Sequence, residues 1–198
     1  MRPVILAGGR SSRFGGEPKG QKEICGVSML TRVLGTVKNA FDTPPLLVAN
    51  SDDAPNWKPG IETIKDVIPD CGSLSGIHAA LKHTEAPIFV LAWDMPFLPA
   101  PLVRAVVEES ESFDVFLPES NGPLGIEPLC GVYKPSCTGP VERALERKEY
   151  RTTSFHGEVN IGTLPLNTIV SYGDPDTMFF SVNDADDLAE AERICSTQ

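Results

Sequence analysis

Between Leu6 and Lys19 the chain reads Leu6-Ala7-Gly8-Gly9-Arg10-Ser11-Ser12-Arg13-Phe14-Gly15-Gly16-Glu17-Pro18-Lys19. Glycines let backbone N–H groups approach an anion closely and line up as a concave array of donors. Arg10, Arg13 and Lys19 add cations in the same short stretch. A triphosphate needs both features, many short donors and positive charge to offset its own. The stretch is none of the standard glycine motifs. G-x-G-x-x-G fails because no glycine follows Gly8-Gly9 until Gly15, and G-x-x-x-x-G-K-[ST] fails because Pro18 precedes Lys19 and Gly20 follows it. A kinase glycine loop would need partner motifs that are missing. The competing reading is a surface loop that binds nothing, which the cations of an otherwise acidic chain disfavour.

Asp94 directly follows the apolar run Ile88–Trp93. Mg²⁺ takes one or two protein carboxylates and fills its shell with phosphate oxygens and water, so an acid at a strand end suits it. The alternative is an N-cap, but Pro96 and Pro99 move the next helix start towards Leu98. Asp66 ends a second strand candidate and would meet the same ligand unless it is a plain solvated turn. Gly72-Ser73-Leu74-Ser75-Gly76 opens a helix, where loop amides can read a base edge and the helix N-terminus favours anions. An ordinary helix start explains that segment equally well. His78 reads as a helix-surface or packing residue, Trp93 and Phe97 as core, and the acidic stretch Asp184–Glu192 as a solvated helix face.

The elements that must position these residues alternate along the chain. Pro3–Ala7, Leu46–Ala49, Ile61–Ile64, Ile88–Trp93, Asp114–Leu117 and Leu129–Tyr133 read as strands. Helices are expected from Ser28, with Leu30, Val33, Leu34, Val37 and Phe41 on one face, over Leu74–His83, and from about Pro99 through Val107. Asn183, Asp186 and Asp187 signal the start of a last helix, with Leu188, Ala191 and Cys195 on one face. Residues 119–127 and 171–178 read as surface loops. This alternation predicts an α/β fold, three-layer α/β/α with a mostly parallel sheet, in a single domain over 1–198. In such a sheet ligands sit beyond the carboxyl ends of the strands, where the glycine loop and Asp94 both fall.

Composition narrows the function classes. In 198 residues, 17 Lys and Arg stand against 27 Asp and Glu, a net charge of −10, which argues against a broad nucleic-acid surface. The N-terminal apolar run is too short for a signal-peptide core or a membrane span. Cys25, Cys71, Cys130, Cys137 and Cys195 form no Cys-x-x-Cys pair, and with His78, His83 and His156 they complete no zinc spacing. Five reduced cysteines in a cytoplasmic protein are the expectation.

The glycine loop with Lys19 resembles the signature of the molybdenum cofactor guanylyltransferases, within the wider group of nucleotidyltransferases of the nucleotide-diphospho-sugar transferase fold. Gly72-Ser73-Leu74-Ser75-Gly76-Ile77, Trp93-Asp94-Met95-Pro96-Phe97-Leu98 and Val182-Asn183-Asp184-Ala185-Asp186-Asp187-Leu188 match three further blocks in the same order. The resemblance implies transfer of GMP from GTP to molybdopterin with release of pyrophosphate. It implies that Leu6, Ala7 and Gly8 line the nucleotide and that Lys19 holds its phosphates. Asp66 and Asp94 would contact GTP, Asp94 would bind Mg²⁺, and Asn183 would support the metal side. It also suggests a GTP-binding helper protein of the same pathway, and leaves the oligomeric state open. The chain departs from the pattern in three places. Pro18 stands where an acid usually precedes the lysine, Gly26-Val27-Ser28-Met29 replaces a Gly-Lys-Pro-Leu turn, and Val48-Ala49-Asn50 lacks the first asparagine of an Asn-Ala-Asn stretch.

This chemistry requires no Ser, Cys or His nucleophile, because the acceptor phosphate is already ionised. Catalysis reduces to alignment and charge neutralisation, with Lys19, Arg13 and Asp94 in the catalytic roles and Gly9, Gly72 and Gly76 in the nucleotide cradle. The rival enzyme reading is a nucleotidyltransferase using CTP or another phosphorylated acceptor. The rival of another class is a nucleotide-binding regulator without turnover. Acceptor choice is expected around 119–160, where Glu127, Arg143, Arg147, Lys148 and Arg151 are the candidates.

Overall fold

The computed structural model describes residues 1–8 and 18–197. The order along the chain is β1 (Arg2–Leu6), a 3-10 turn at Lys19–Gln21, the hairpin β2 (Glu23–Ile24) and β3 (Val27–Ser28), α1 (Met29–Ala40), β4 (Leu46–Val48), α2 (Ala54–Trp57), β5 (Glu62–Ile64) and α3 (Gly72–Thr84). There follow β6 (Ile88–Ala92), α4 (Ala100–Glu109), β7 (Val115–Pro118), β8 (Cys130–Tyr133), α5 (Thr138–Glu146), β9 (Ile161–Leu164), α6 (Leu166–Ile169), α7 (Pro175–Met178) and α8 (Ala185–Ser196).

Among the described residues, seven strands form one sheet in the order β5-β4-β1-β6-β8-β7-β9. β1 is central and parallel to both neighbours, with Val4 opposite Leu46 on one side and Val90 on the other. β4 and β5 are parallel, as are β7 and β9, while β8 runs antiparallel to β6 and β7. The pleat sends alternate side chains to opposite faces. Ile5, Leu47, Phe89 and Leu91 pack with Leu30, Val33 and Leu102 of α1 and α4. Val4, Leu46, Ile88 and Val90 pack with Leu74, Ile77, Val141 and Leu145 of α3 and α5. Continuous apolar runs such as Ile88–Ala92, all five residues buried, follow from burial on both faces. The three-layer, mostly parallel α/β/α reading therefore holds.

Ser28 starts α1 by accepting the Thr31 backbone N–H at its Oγ. The last helix is capped one residue later than the sequence signal suggested. Asp184, not Asn183, accepts the N–H groups of Asp186 and Asp187, which leaves the Asn183 side chain for another task. Within the 171–178 stretch read as loop lies α7, whose N-cap Asp174 accepts from Thr177.

The cysteine expectation is corrected. Cys25, in the β2–β3 turn, and Cys195, in α8, form a disulfide across 170 residues of sequence. Cys71, Cys130 and Cys137 are free and buried. The pairing follows from the packing of α8 against the hairpin, where Ile24, Met29, Val182 and Ala191 share one cluster; residue spacing carries no trace of it. No helix among the described residues is long and apolar enough to cross a membrane.

Candidate functional site

β1, β4, β5 and β6 run parallel, so their carboxyl ends share one edge of the sheet. That edge opens into a cavity of ≈ 960 Å³. Leu6, Ala7, Gly8, Lys19, Asp66, Gly72, Gly76, Asp94 and Asn183 all line it. The fold thus brings together every residue expected at the nucleotide and metal side that lies within the described part of the chain. Gly9, Arg10 and Arg13 lie outside the described residues.

Lys19 reaches the cavity from its 3-10 turn. Its Nζ donates to Asp94 Oδ2 at 2.7 Å and to Asn183 Oδ1 at 2.9 Å. The Lys19 and Asp94 side chains are only 13% and 18% exposed, so water screens their attraction weakly. Asn183 is held from three directions. Its backbone N–H donates to Asp187 Oδ2, and its Nδ2 donates to Ser181 O and Oγ, which turns Oδ1 towards Lys19. The Val182 N–H donates to the Asp94 carbonyl at 3.0 Å, tying this segment to the end of β6.

Trp93 is more than core filling. A Cβ on Gly20 would lie 2.1 Å from Trp93 Cε3, so the backbone immediately after Lys19 rests on the indole face. Trp57 in turn stacks on Trp93, with ring centroids 5.2 Å apart. The turn bearing Lys19 therefore has a rigid floor.

The second carboxylate is fixed differently. Asn50, one residue beyond the buried Ala49 that follows β4, donates from Nδ2 to Asp66 Oδ2 at 2.8 Å and accepts the Asp66 N–H at Oδ1 at 2.9 Å. Burial pushes the Asp66 carboxyl above the ordinary Asp range, with the Asn50 hydrogen bond opposing the rise. Asn50 is not among the expected site residues; its signal is its place two residues past the end of β4. Val48, which occupies the place of the missing asparagine, is buried against α3. At α3, a Cβ on Gly76 would stand 3.0 Å from Leu6 Cδ2 and 3.6 Å from Asp66 Oδ1. Glycine there lets the first turns of α3 approach β1 and Asp66. The helix start has no side-chain cap, so its orphan N–H groups remain available beside Gly72 and Ser73.

Of the candidates in 119–160, only Glu127 lines the cavity. Burial, with the Asp94 charge added, pushes its carboxyl up to about 7. Arg143 and Arg147 are instead engaged with Glu158 and Glu149, and Lys148 and Arg151 do not line the cavity. Only Arg143 lies within α5; Arg147, Lys148 and Arg151 follow its end, and charge alone does not say which way a side chain faces. His78 packs in α3 with Nε2 3.1 Å from Glu142 Oε1. Among the described residues no group of three or more His, Cys, Asp or Glu could hold a metal by itself. Asp94 Oδ1, however, is buried without a hydrogen-bond partner among the described residues, beside Lys19 and Asn183.

Residues 3–159 match the model of the MobA-like NTP transferase domain. Over 95% of this chain and 90% of its relative, the sequence is 34% identical to a protein of Pelotomaculum thermopropionicum named probable molybdenum cofactor guanylyltransferase. The crystal structure of molybdopterin-guanine dinucleotide biosynthesis protein A from Archaeoglobus fulgidus superposes with a TM-score of 0.85 at 28% identity, covering 100% of both chains. The 2-C-methyl-D-erythritol 4-phosphate cytidylyltransferase of Thermus thermophilus shares the fold at a TM-score of 0.69 and 12% identity, covering 98% of each chain. The two structures share the scaffold, so likeness of fold does not by itself say which nucleotide this chain takes.

Proposed function

The chain belongs to the MobA-like NTP transferases, and from that premise we propose that it transfers GMP from GTP to molybdopterin and releases pyrophosphate. The observation that carries this reading is the convergence of Lys19 Nζ on Asp94 Oδ2 and Asn183 Oδ1 inside the cavity at the strand ends. A cation held between two oxygen ligands, beside uncapped helix amides, is the arrangement a polyphosphate requires.

The reaction forms a bond from an acceptor phosphate oxygen to the α-phosphorus of GTP and breaks the bond to the bridging oxygen of pyrophosphate. Lys19 offsets phosphate charge, and its short tether to Asp94 and Asn183 holds it in place before the nucleotide arrives. Leu6, Ala7 and Gly8 line the nucleotide, while Asp66 and the amides around Gly72 and Gly76 serve its base side. Asn50 keeps the Asp66 carboxylate aimed. Gly9 and Arg13 belong to the same reading through the glycine loop.

Mg²⁺ fits the donor set. Asp94 Oδ1 is buried and unpartnered among the described residues and Asn183 Oδ1 is a second hard ligand, with phosphate and water to complete the shell. Bound there, the ion would neutralise charge at the α-phosphate.

The test is incubation with GTP, Mg²⁺ and molybdopterin, following pyrophosphate and the guanine dinucleotide. Pyrophosphate release that needs both GTP and molybdopterin supports the reading. Equal turnover with CTP would move the protein to a different nucleotide class, and tight GTP binding without release under any acceptor would make it a regulator.

A further inference from the structure

The sheet order divides the cavity. β4 and β5, with Asn50 and Asp66 at their ends, lie on one side of β1 and β6, and β8 lies on the other side of β6. Glu127 stands three residues before β8 and enters the cavity from that far flank. Asp94, at the end of β6, lies between the two flanks. If the nucleotide occupies the side built from Asp66, Asn50 and the start of α3, the β8 flank is the space left for the second substrate.

Glu127 is held firmly in that flank. Its N–H donates to the Pro118 carbonyl at 2.9 Å, and its own carbonyl accepts the Cys130 N–H at 3.2 Å. The preceding bridge between Glu119 and Ile126 fixes the strand-like approach. Its carboxylate faces the backbone N–H of Leu129, and among the described residues no Lys, Arg or side-chain donor is paired with it. Such a sunken, poorly compensated acid is costly to the free protein. It also repels phosphate, so it is the wrong group to hold a triphosphate. It is the right group to accept hydrogen bonds from N–H donors.

We propose that Glu127 is a specificity residue for the acceptor, accepting hydrogen bonds from the ring N–H and amino groups of a pterin. The proposal rests on the guanylyltransferase reading above. The repulsion and the attraction act together: the carboxylate turns the acceptor phosphate away from the β8 flank, towards Lys19, while its oxygens engage the ring. Guanine carries the same aminopyrimidinone donors, so the chemistry alone fits either base, and the sheet order is what assigns Glu127 to the acceptor.

The experiment is steady-state kinetics of the full chain and of Glu127→Gln and Glu127→Ala, varying molybdopterin and GTP separately, with GTP affinity measured by calorimetry. Losing a hydrogen bond to a charged group raises the KM for molybdopterin about ten- to a hundredfold, while KM and Kd for GTP stay within about twofold. The retained GTP affinity also shows that the variants fold. A rise in KM or Kd for GTP, or unchanged KM for molybdopterin in both variants, overturns the assignment while leaving the guanylyltransferase reading intact. No acceptor-dependent turnover by the unaltered protein would overturn both.

Discussion

Lys19 and Asp94 lie 75 residues apart in the chain and 2.7 Å apart in the fold. Nothing local brings them together. Lys19 rides on a turn seated on Trp93, and Asp94 is the next residue after that tryptophan, so one aromatic side chain sets the distance between cation and acid. Replacing Asp94 by Asn keeps the shape and removes the charge. Turnover should then fall about a hundredfold to a thousandfold, measured by pyrophosphate release, with the thermal transition of the protein retained. Near-normal turnover would remove Asp94 from the catalytic role.

Gly20 offers a separate handle on the same contact. An added methyl would meet Trp93 at 2.1 Å, so Gly20→Ala must shift either the indole or the turn. Overpacking of this kind costs about 1–3 kcal/mol, readable by urea unfolding. GTP titration of the same variant should show weaker binding, because Lys19 moves with its turn. A variant of undiminished stability and affinity would mean that Trp93 does not seat Lys19.

Glu127 gives the pH dependence. Its carboxyl is raised from 4.5 to about 7, first by burial and then by Asp94. Between those values the folded state holds a proton that the unfolded state has lost, so stability falls as pH rises through that window. Glu127→Gln removes the penalty. At pH 8 the nucleotide-free variant should be more stable than the parent by at most about 3 kcal/mol, with no gain at pH 4. Urea unfolding at the two pH values checks the sign; equal differences at both would contradict it.

The disulfide is tested by counting thiols. The unfolded, unreduced chain should titrate as three free thiols, from Cys71, Cys130 and Cys137, and two more should appear on reduction. Replacing Cys25 by Ser should cost about 2–5 kcal/mol of stability in the oxidised protein. Five thiols without reductant would refute the pairing.

The strands at the heart of the site were legible because burial on both faces makes them continuous apolar runs. β6 and β1 are the clear cases, and Asp94 stands one residue past the apolar run Ile88–Trp93. Other elements hide for identifiable reasons. β9 contains Gly162, whose missing Cβ makes room for the Phe113 ring, and glycine inside a strand reads as loop. The first turn of α5 holds Gly139-Pro140, two poor helix formers. The β2–β3 turn places Cys25 at φ 49° and Gly26 at φ 72°, and a cysteine is an unusual first residue for a turn that needs two positive φ angles. The partners of Asn50, Cys25 and Glu127 depend on which strands and helices become neighbours, and no local pattern states that. The capping signal at Asn183 is filled by Asp184, and the Asn183 side chain accepts from Lys19 instead.

The structure of the protein with GTP and Mg²⁺ bound tests the central claim most directly. The account predicts the triphosphate in the cavity at the carboxyl ends of β1 and β6, with its oxygens on Lys19 and the divalent ion on Asp94. A nucleotide bound outside that cavity, or bound within it with phosphates out of reach of both residues, would contradict the account.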